Sequence, residues 1–237
     1  MNDHKSAELT EIERRYAHRA EQRKGSLYDP LLPVNIAFRQ ERERVVMAML
    51  LRFLAGRSLQ SLRILEIGCG NGRNLIDFIN WGARPENCVG NELLTERVAA
   101  ARANLLPATT ILQGDASALD LPDGSFDIML QSTVFSSILD EGLRHAVAAN
   151  MWRMLAPNGG IFWYDFTVDN PRNPDVTGIS QAQIKALFPN SRYTAKKVTL
   201  APPLARRAAR LSPGLYPILN TLPFLRTHVV ALLRKQP

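Results

Sequence analysis

The sequence predicts an α/β protein in which short apolar strands alternate with helices. Five apolar runs of strand length follow one another between residues 64 and 166, and segments with helical spacing separate them. The first run, Ile64–Ile67, leads into three glycines at alternate positions, Gly68, Gly70 and Gly72, after which helical spacing resumes. With 237 residues, of which 46% are apolar, the chain is long enough to bury one core.

The glycine segment after the first strand predicts a nucleotide site. Glycines lack a Cβ, so a ligand can approach the bare backbone, and the free amides of the following helix face it. A dinucleotide fingerprint would need a third glycine where the chain has Arg73, and no P-loop lysine follows. Glu66, at the end of the strand, would repel a phosphate and suits a ligand with a positive amino group. On this segment alone, an ordinary glycine turn of another α/β protein remains the alternative.

Polar residues also end the strands that follow. These strands are predicted at Asn87–Glu92, Thr110–Ala116, Phe126–Thr133 and Ile161–Phe166, with helices at Leu93–Asn104 and about Leu139 to Leu155. The carboxyl ends of parallel strands meet at one edge of an open sheet, so their polar residues are expected to converge on one crevice. These residues are Glu66, Glu92, Asp115, Gln131 and Asp165.

A helical extension, residues 1–60, is expected to precede the main domain, residues 61–237. A charged helix is predicted at Ser6–Lys24, and a second helix, capped by Asn35, runs to about Ala55. The extension would act as a lid or as a plain packing pair of helices.

The C-terminal part of the chain is basic and predicts two more strands. They are expected at Tyr193–Ala201 and Thr227–Arg234, and the insert between them, residues 202–226, is too long for a hairpin turn. Residues 191–237 contain 9 Lys and Arg and no Asp or Glu. Residues 61–190 contain 9 Lys and Arg and 14 Asp and Glu. The formal net charge of +7 therefore comes mainly from this tail.

The order and spacing of these motifs resemble those of the class I S-adenosylmethionine (SAM)-dependent methyltransferases, with a type 11/25-like domain. The likeness spans about Arg63 to Thr167, with Glu66–Gly72 as its first motif. It implies a Rossmann-like sheet of seven mostly parallel strands in the order 3-2-1-4-5-7-6, with helices on both faces and an antiparallel hairpin at one edge. One departure is Glu92, where an Asp is more usual.

The resemblance implies SAM as the cofactor and S-adenosylhomocysteine as its product. Glu92 would accept hydrogen bonds from both ribose hydroxyls, and Asp115 would accept one from the adenine amino group, next to the amide of Ala116. The residues expected to bind the cofactor are Glu66, Gly68, Cys69, Gly70, Gly72, Asn74, Glu92, Leu93, Asp115, Ala116 and Gln131.

Candidates for the acceptor side follow the fourth and fifth strands. Such an enzyme holds its acceptor in line with an activated methyl group, and an O- or N-acceptor also gives up a proton. Asp165 is the preferred base, with Tyr164 beside it, although a role of Asp165 in orienting its own loop fits equally well. Expected at the substrate are Tyr28 as a lid, Phe135, Ser136, and Arg172 for an acidic acceptor group. Phe135 in the core and Arg172 in solvent are the alternatives.

Three interpretations of the insert stay open. It would cap the acceptor pocket, lie on an anionic membrane with its arginines toward the headgroups, or contact RNA phosphates. Nucleic acid is the least favoured partner, because the core is acidic and exposed aromatic residues are not interleaved with the basic ones.

The leading hypothesis is methyl transfer to a small-molecule or a glycan- or lipid-linked acceptor. A SAM-binding protein without catalysis and an RNA methyltransferase are the alternatives. Cys69 and Cys88 lack metal-ligand spacing, so no metal is expected, and no apolar run has the length of a leader or a bilayer span. The protein is expected in the cytoplasm, with membrane association through the insert as a variant. The acceptor, the methylated atom and the oligomeric state are not fixed by the sequence.

Overall fold

Seven strands form one mixed sheet in the computed structural model, which describes residues 2–22, 29–170, 173–212 and 214–236 and, within the first stretch, the side chains of residues 5–18. The strands lie in the order β3-β2-β1-β4-β5-β7-β6. Their bounds are β1 Ile64–Ile67, β2 Cys88–Glu92, β3 Thr110–Gln113, β4 Phe126–Ser132, β5 Leu155–Phe166, β6 Ser191–Leu200 and β7 Arg226–Lys235. This order confirms the sheet implied by the resemblance.

Strands β1 to β5 are parallel, and β7 runs antiparallel to both β5 and β6. In the middle of the sheet, Glu66 of β1 pairs with Gly90 of β2 on one side and with Leu130 of β4 on the other. The strand order reverses between β1 and β4. That switch point is where open α/β sheets bind ligands, beyond the carboxyl ends of the strands.

Helices cover both faces of the sheet, as predicted. The α-helices of the described chain are α1 Asn2–Gln22, α2 Pro33–Leu54, α3 Arg73–Asn80, α4 Thr95–Asn104, α5 Glu141–Met154, α6 Gln181–Leu187, α7 Pro202–Leu211 and α8 Leu215–Leu219. None of the helices in the described chain is long and apolar enough to cross a bilayer.

Neighbouring residues of β5 separate the two halves of the core. The ring of Phe162 packs edge-on against Phe53 of α2 and near Phe78 of α3. The next residue, Trp163, packs on the opposite face against Phe188, which follows α6. Helix α2 therefore shares a hydrophobic core with the sheet, although it lies within the predicted extension, residues 1–60, and not within the predicted main domain.

The start of α2 differs from the predicted one. The helix begins at Pro33, with Leu32 as its N-cap, so Asn35 lies inside the first turn. Proline suits this first position because its fixed φ matches the helix and its missing N–H is not needed there. The Asn35 side chain instead donates to the carbonyl of Asp29 at 2.8 Å.

Strand β5 begins six residues before the predicted start at Ile161. It includes Pro157–Gly160, and its pairing with β4 shifts between Phe126 and Ile128. A bulge of this kind absorbs extra residues in one strand while the flanking pairs stay in register.

Part of the insert, residues 202–226, packs against α2. Apolar side chains of the insert and α2, among them Val34, Ala205 and Tyr216, form a third small cluster. The carboxylate of Glu41 on α2 accepts hydrogen bonds from the Thr199 N–H at 2.9 Å, the Tyr216 hydroxyl at 3.1 Å and the Asn220 amide at 2.8 Å. These contacts fix α7 and α8 relative to the sheet edge.

Candidate active site

The glycine turn after β1 adopts a backbone that requires glycine. Gly68, Gly70 and Gly72 have φ of +62°, +58° and +82°, which side chains rarely tolerate. A Cβ on Gly68 would lie 2.5 Å from a methyl of Val134, and one on Gly72 would lie 2.5 Å from Leu105. A Cβ on Gly70 would meet no atom within 4 Å. Gly70 therefore opens onto free space, as a residue that a ligand approaches must do.

Glu66 has a buried carboxyl group in which one oxygen lacks a hydrogen-bond partner among the described residues. It is 1% exposed, and its Oε1 accepts a hydrogen bond from Nδ2 of Asn74 at 2.5 Å. Its Oε2 is buried and has no hydrogen-bond partner among the described residues. Burial raises the pKa of Glu66 to about 8. A ligand ammonium group would supply the missing donor and favour the ionised carboxylate, which fits the role expected for Glu66.

Arg42 of α2 reaches the same place, and the sequence analysis missed it. Its guanidinium donates to Asn74 Oδ1 at 3.2 Å and to Ser132 Oγ at 3.4 Å, and lies 5.1 Å from the ring centroid of Tyr164. Within the described chain Arg42 forms no ion pair with a protein carboxylate. Arg42 and Glu66 together offer a cation and an anion, which suits the carboxylate and the ammonium of an amino acid group.

A sequence signal for Arg42 does exist. It lies four residues from both Phe38 and Val46, so a cation interrupts a face of the helix that is otherwise apolar. The signal is weak because long arginine side chains often cover apolar surface while their heads reach water.

Glu92 lies at the end of β2, as predicted, but backbone amides already hold its carboxylate. One oxygen accepts from Gly70 N–H at 2.8 Å, and the other accepts from Leu93 N–H at 2.9 Å and Leu94 N–H at 3.1 Å. A carboxylate has about four acceptor sites, so about one is left for a hydroxyl. Binding of two ribose hydroxyls would require one of these backbone bonds to lengthen.

Asp115 lies after β3, at the far side of the same cleft. Its carboxylate accepts from the backbone and hydroxyl of Ser117, each at 2.8 Å, and forms an ion pair with Lys5 of α1 at 2.7 Å. Helix α1 therefore reaches the position predicted for the adenine group.

We call this cleft, lined by Gly68, Glu92, Leu93, Asp115, Ala116 and Thr133 among others, the cofactor cleft. Helix α1 covers it with Leu9, Ile12 and Tyr16 and leaves a cavity of about 110 Å³. Ligand pockets usually measure about 300–1,000 Å³. Helix α1 thus occupies part of the space that a cofactor needs.

Two other expected cofactor residues support the cleft from behind. Cys69 is 5% exposed, and its N–H donates to Asn91 of β2 at 2.9 Å. Gln131 is 2% exposed, and its side chain links the Val134 N–H to the Tyr164 carbonyl at 3.2 and 3.4 Å. Both therefore position backbone rather than offer free polar atoms.

A larger cavity of about 670 Å³ adjoins the cofactor cleft, and we call it the acceptor cavity. Its wall includes Thr133, Ser136, Phe166, Asp169, Arg206 and His228. Tyr16, Arg97, Thr133 and Ser137 line both spaces. Thr133 stands at the junction with φ of +58°, which is unusual for a β-branched residue and is typical of functional sites.

Asp165 does not occupy the position expected of a base. It is 0% exposed, and its oxygens accept from the backbone N–H of Ser136 at 3.2 Å and of Phe166 at 3.0 Å. Burial raises the pKa of Asp165 to about 7. Because side chains alternate along a strand, Asp165 shares the face of Trp163. Its carboxylate holds Ser136 in the loop after β4 as well as Phe166 next to it, so its bonds are not confined to its own loop.

Tyr164, on the opposite face of β5, is held by its neighbours. Its hydroxyl lies 3.3 Å from Thr199 Oγ1, and its ring stacks on His228 with centroids 5.4 Å apart. Burial lowers the pKa of His228 to about 4, so its imidazole stays neutral in the wall of the acceptor cavity.

The expected substrate residues divide into three groups. Ser136 lines the acceptor cavity. Phe135 does not, because it is 0% exposed and packs on Trp163 at 4.5 Å, so its alternative role in the core is the observed one. Tyr28 and Arg172 lie outside the described residues.

Comparison with known proteins supports the interpretation of the fold. Residues 64–159 match the family model of a methyltransferase domain. An arsenite methyltransferase of Aquipseudomonas alcaligenes is 25% identical over 122 residues, which cover 47% of this chain and 34% of that protein. An eEF1A lysine and N-terminal methyltransferase homolog of Drosophila melanogaster is 30% identical over 104 residues, covering 41% and 16%. The chain thus matches about a third or less of the length of these relatives.

Solved structures share the fold at low identity. A SAM-dependent methyltransferase from Thermotoga maritima superposes with a TM-score of 0.62 at 16% identity, covering 95% of this chain and 99% of that one. One from Archaeoglobus fulgidus gives 0.59 at 16% identity, covering 84% and 96%. Residues 64–159 thus match a methyltransferase domain, the solved structures share the fold, and the resemblance to the class I SAM-dependent methyltransferases is confirmed. SAM is the cofactor of this class.

Proposed function

We propose that this chain transfers a methyl group from SAM to an acceptor bound in the acceptor cavity. The observation that carries the proposal is the continuity of the two spaces, since four residues line both the cofactor cleft and the acceptor cavity. When bound, SAM supplies a methyl group already activated by its sulfonium. The residues of the chain then need only bind, orient and exclude water.

Residues in and beside the cofactor cleft offer a partner for each part of the cofactor. Glu66 and Arg42 suit the ammonium and carboxylate of the amino acid end, and the backbone at Gly70 leaves room for close approach. Glu92 and Asp115 follow toward the ribose and adenine. Charge-assisted hydrogen bonds of this type contribute about 1.5–3 kcal/mol each.

Positioning is the main catalytic contribution that we propose. Holding an acceptor atom about 3–3.5 Å from the methyl carbon lowers the barrier by about 7–11 kcal/mol. Two groups in the wall of the acceptor cavity are weak bases, because His228 has a pKa of about 4 and hydrogen bonds from Gly178 and Thr177 lower the pKa of Asp169. An acceptor that releases its proton readily, or to water, fits this wall best.

The acceptor that we propose is a small molecule or a glycan- or lipid-linked one. Arsenite, which the bacterial relative methylates by its name, binds thiols. Cys69 and Cys88 are the two cysteines of the chain, both are buried, and neither lines the acceptor cavity. Burial also raises the pKa of Cys88 to about 12, which disfavours its thiolate. Arsenite is therefore a poor fit to this cavity.

Contact with an anionic membrane is a second proposal, carried by exposed apolar residues of the insert. Leu211, Ile218 and Phe224 are 80%, 64% and 75% exposed. Arg207 and Arg210 are also exposed, and residues 191–237 contain no acid. Apolar side chains beside basic ones favour the surface of a membrane with anionic headgroups.

Vesicle binding tests the membrane proposal. The protein is expected to sediment with vesicles of phosphatidylglycerol and phosphatidylcholine but not with phosphatidylcholine alone. The double variant Leu211→Ser/Phe224→Ser should lose this binding, whereas Leu51→Ser, at a residue 69% exposed on α2, should keep it. Equal sedimentation of all three proteins would rule the insert out as the contact.

Calorimetry with S-adenosylhomocysteine tests the cofactor part of the proposal. Gly70→Ala places a methyl group in the open space at the glycine turn, where we propose that the cofactor lies, and should abolish binding. Gly56→Ala is a matched control, because Gly56 has φ of +88°, has open space around its Cβ position and lies at the end of α2. Both changes carry the strain of a left-handed residue, about 1–2 kcal/mol. Unchanged affinity of Gly70→Ala for S-adenosylhomocysteine would show that the ligand does not bind at this turn.

Turnover distinguishes an enzyme from a SAM-binding protein without catalysis. Purified protein is incubated with labelled SAM and pooled small-molecule or lipid extracts, and labelled products are sought. Transfer that disappears in Gly70→Ala supports the proposal. Tight cofactor binding with no transfer to any extract would support the non-catalytic alternative.

A further inference from the structure

Arg206 of α7 projects a cation into the wall of the acceptor cavity. The residue is half-buried, and its Nε is buried without a hydrogen-bond partner. Within the described chain its guanidinium makes no hydrogen bond, ion pair or ring contact. A buried N–H donor without a partner, such as this Nε–H, is costly unless something else completes its bonding.

The other charged groups of the cavity wall have protein partners. Arg97 lies 4.2 Å from the ring centroid of Tyr16. Asp169 accepts from Gly178 N–H at 2.7 Å and from the Thr177 hydroxyl at 3.0 Å.

Asp175 lies 3.8 Å from the imidazole of His18. Among the described charged groups of this wall, Arg206 is thus the one that has neither a hydrogen bond, nor an ion pair, nor a ring contact with the protein.

The position of Arg206 is fixed by its helix. Ala205 and Ala208 are buried at 0% and 3% exposure, and Pro202 and Pro203 open the helix beside the same cavity. The Glu41 hydrogen bonds to Thr199, Tyr216 and Asn220 hold the segments on either side of α7. The guanidinium is therefore presented to the cavity by a supported element, which reduces the ordering cost of binding.

We propose that Arg206 binds an anionic group of the methyl acceptor, a carboxylate or a phosphate. This inference rests on the proposed function and names its substrate class. A guanidinium presents a planar fork of N–H donors that matches both groups through paired hydrogen bonds. The same cation repels an ammonium, so a lysine side chain or a free amino terminus is disfavoured as acceptor.

Four small probes that share one ring and differ in charge test the inference. Benzoate, phenyl phosphate, benzyl alcohol and benzylamine are titrated into protein saturated with S-adenosylhomocysteine, and binding is followed by ligand-observed NMR. The two anions should bind, and the alcohol and the amine should bind at least about tenfold more weakly. The stronger of the two anions identifies whether the site prefers carboxylate or phosphate.

Variants of α7 locate the effect. Arg206→Gln should weaken anion binding about tenfold or more, and Arg206→Lys should restore part of it. Arg210→Gln, one turn further along and exposed, should leave it unchanged. The cofactor product is titrated into each variant as well, and its affinity should not change.

Each outcome decides one proposal. Equal binding of benzoate and benzylamine, anion affinity unaltered by Arg206→Gln, or no anion binding up to the solubility limit would overturn the role of Arg206. If S-adenosylhomocysteine bound to none of the proteins, the proposed function itself would fail.

Discussion

The carboxylate of Glu92 accepts a hydrogen bond from the backbone N–H of Gly70 over 2.8 Å. This bond joins the end of β2 to the glycine turn that follows β1. It depends on the left-handed backbone of Gly70, with φ of +58°. The turn and the acid therefore act as one unit, and a change in either alters the shape of the cofactor cleft.

Glu92→Gln is expected to weaken both folding and cofactor binding. An amide has one oxygen, so its NH₂ group must face a backbone N–H that now bonds to a carboxylate oxygen. Leaving one buried donor unpaired costs about 1–3 kcal/mol of unfolding free energy. Urea denaturation and titration with S-adenosylhomocysteine measure the two effects. Glu96→Gln, at an exposed position of α4, is the control and should change neither.

Cofactor binding at neutral pH should release a proton from Glu66. Burial raises its pKa from 4.5 to about 8, so Glu66 is mostly protonated at pH 7 in the free protein. An ammonium beside Glu66 favours the carboxylate, so the proton leaves when S-adenosylhomocysteine binds. Calorimetry in two buffers of different ionisation enthalpy should show this release below pH 8 and its disappearance well above it. Glu66→Gln should show none, and a release that persists in this variant would assign the proton elsewhere.

The same group makes folding depend on pH. A carboxyl whose pKa is raised by folding stabilises the protein fully below the unfolded pKa, and that contribution is lost as pH rises through the folded pKa. For Glu66 this window runs from 4.5 to about 8. The free energy of unfolding should fall across it in the wild type and fall less in Glu66→Gln, as followed by urea denaturation at several pH values.

We expect helix α1 to compete with the cofactor at Asp115. The ion pair of Lys5 with Asp115 is partly exposed, so it is worth no more than about 1 kcal/mol. Lys5→Gln should therefore raise the affinity for S-adenosylhomocysteine by up to about fivefold. Asp115→Asn should lower the affinity, because the amide keeps one acceptor oxygen, which the Ser117 N–H already uses, and its NH₂ group cannot accept from the adenine amino group. Opposite changes of affinity in the two variants would show that α1 competes with the cofactor. If α1 only supported the cleft, both variants would bind S-adenosylhomocysteine less tightly.

A control for the helix itself is Arg14→Gln. Arg14 pairs with Glu11 on the same helix, and its side chain is 71% exposed. Its loss should leave the affinity unaltered.

The hydrogen bond from Tyr216 to Glu41 is expected to stabilise the insert. Tyr216→Phe removes one of the donors to a buried carboxylate, which should cost about 1.5–3 kcal/mol of unfolding free energy. Tyr193→Phe removes a bond to neutral Gln181 and should cost about 1 kcal/mol. Urea denaturation of both variants makes the comparison. Equal losses would show that the Glu41 charge contributes nothing to this contact.

The amino-acid pattern predicts the strands and the strand ends at which the candidate site lies, and the family resemblance predicts the strand order. Apolar runs mark buried strands wherever they occur, and the glycines at 68, 70 and 72 can be explained by local backbone geometry alone. Glu66, Glu92 and Asp115 followed directly, because each stands at the end of its strand. Consecutive side chains of a strand point to opposite faces of the sheet, so the opposite directions of Tyr164 and Asp165 could also have been predicted from the sequence.

Which distant residues meet at those strand ends depends on how the helices pack in three dimensions. Arg42 reaches Asn74, Lys5 reaches Asp115, and Arg206 enters the cavity beside β4 and β7. Each of these cations comes from a helix outside the matched domain. A helical period tells which face of a helix is apolar, but the residue that its polar atoms touch depends on how that helix packs against the sheet. That packing is set by many weak contacts across the whole core, which no local pattern records.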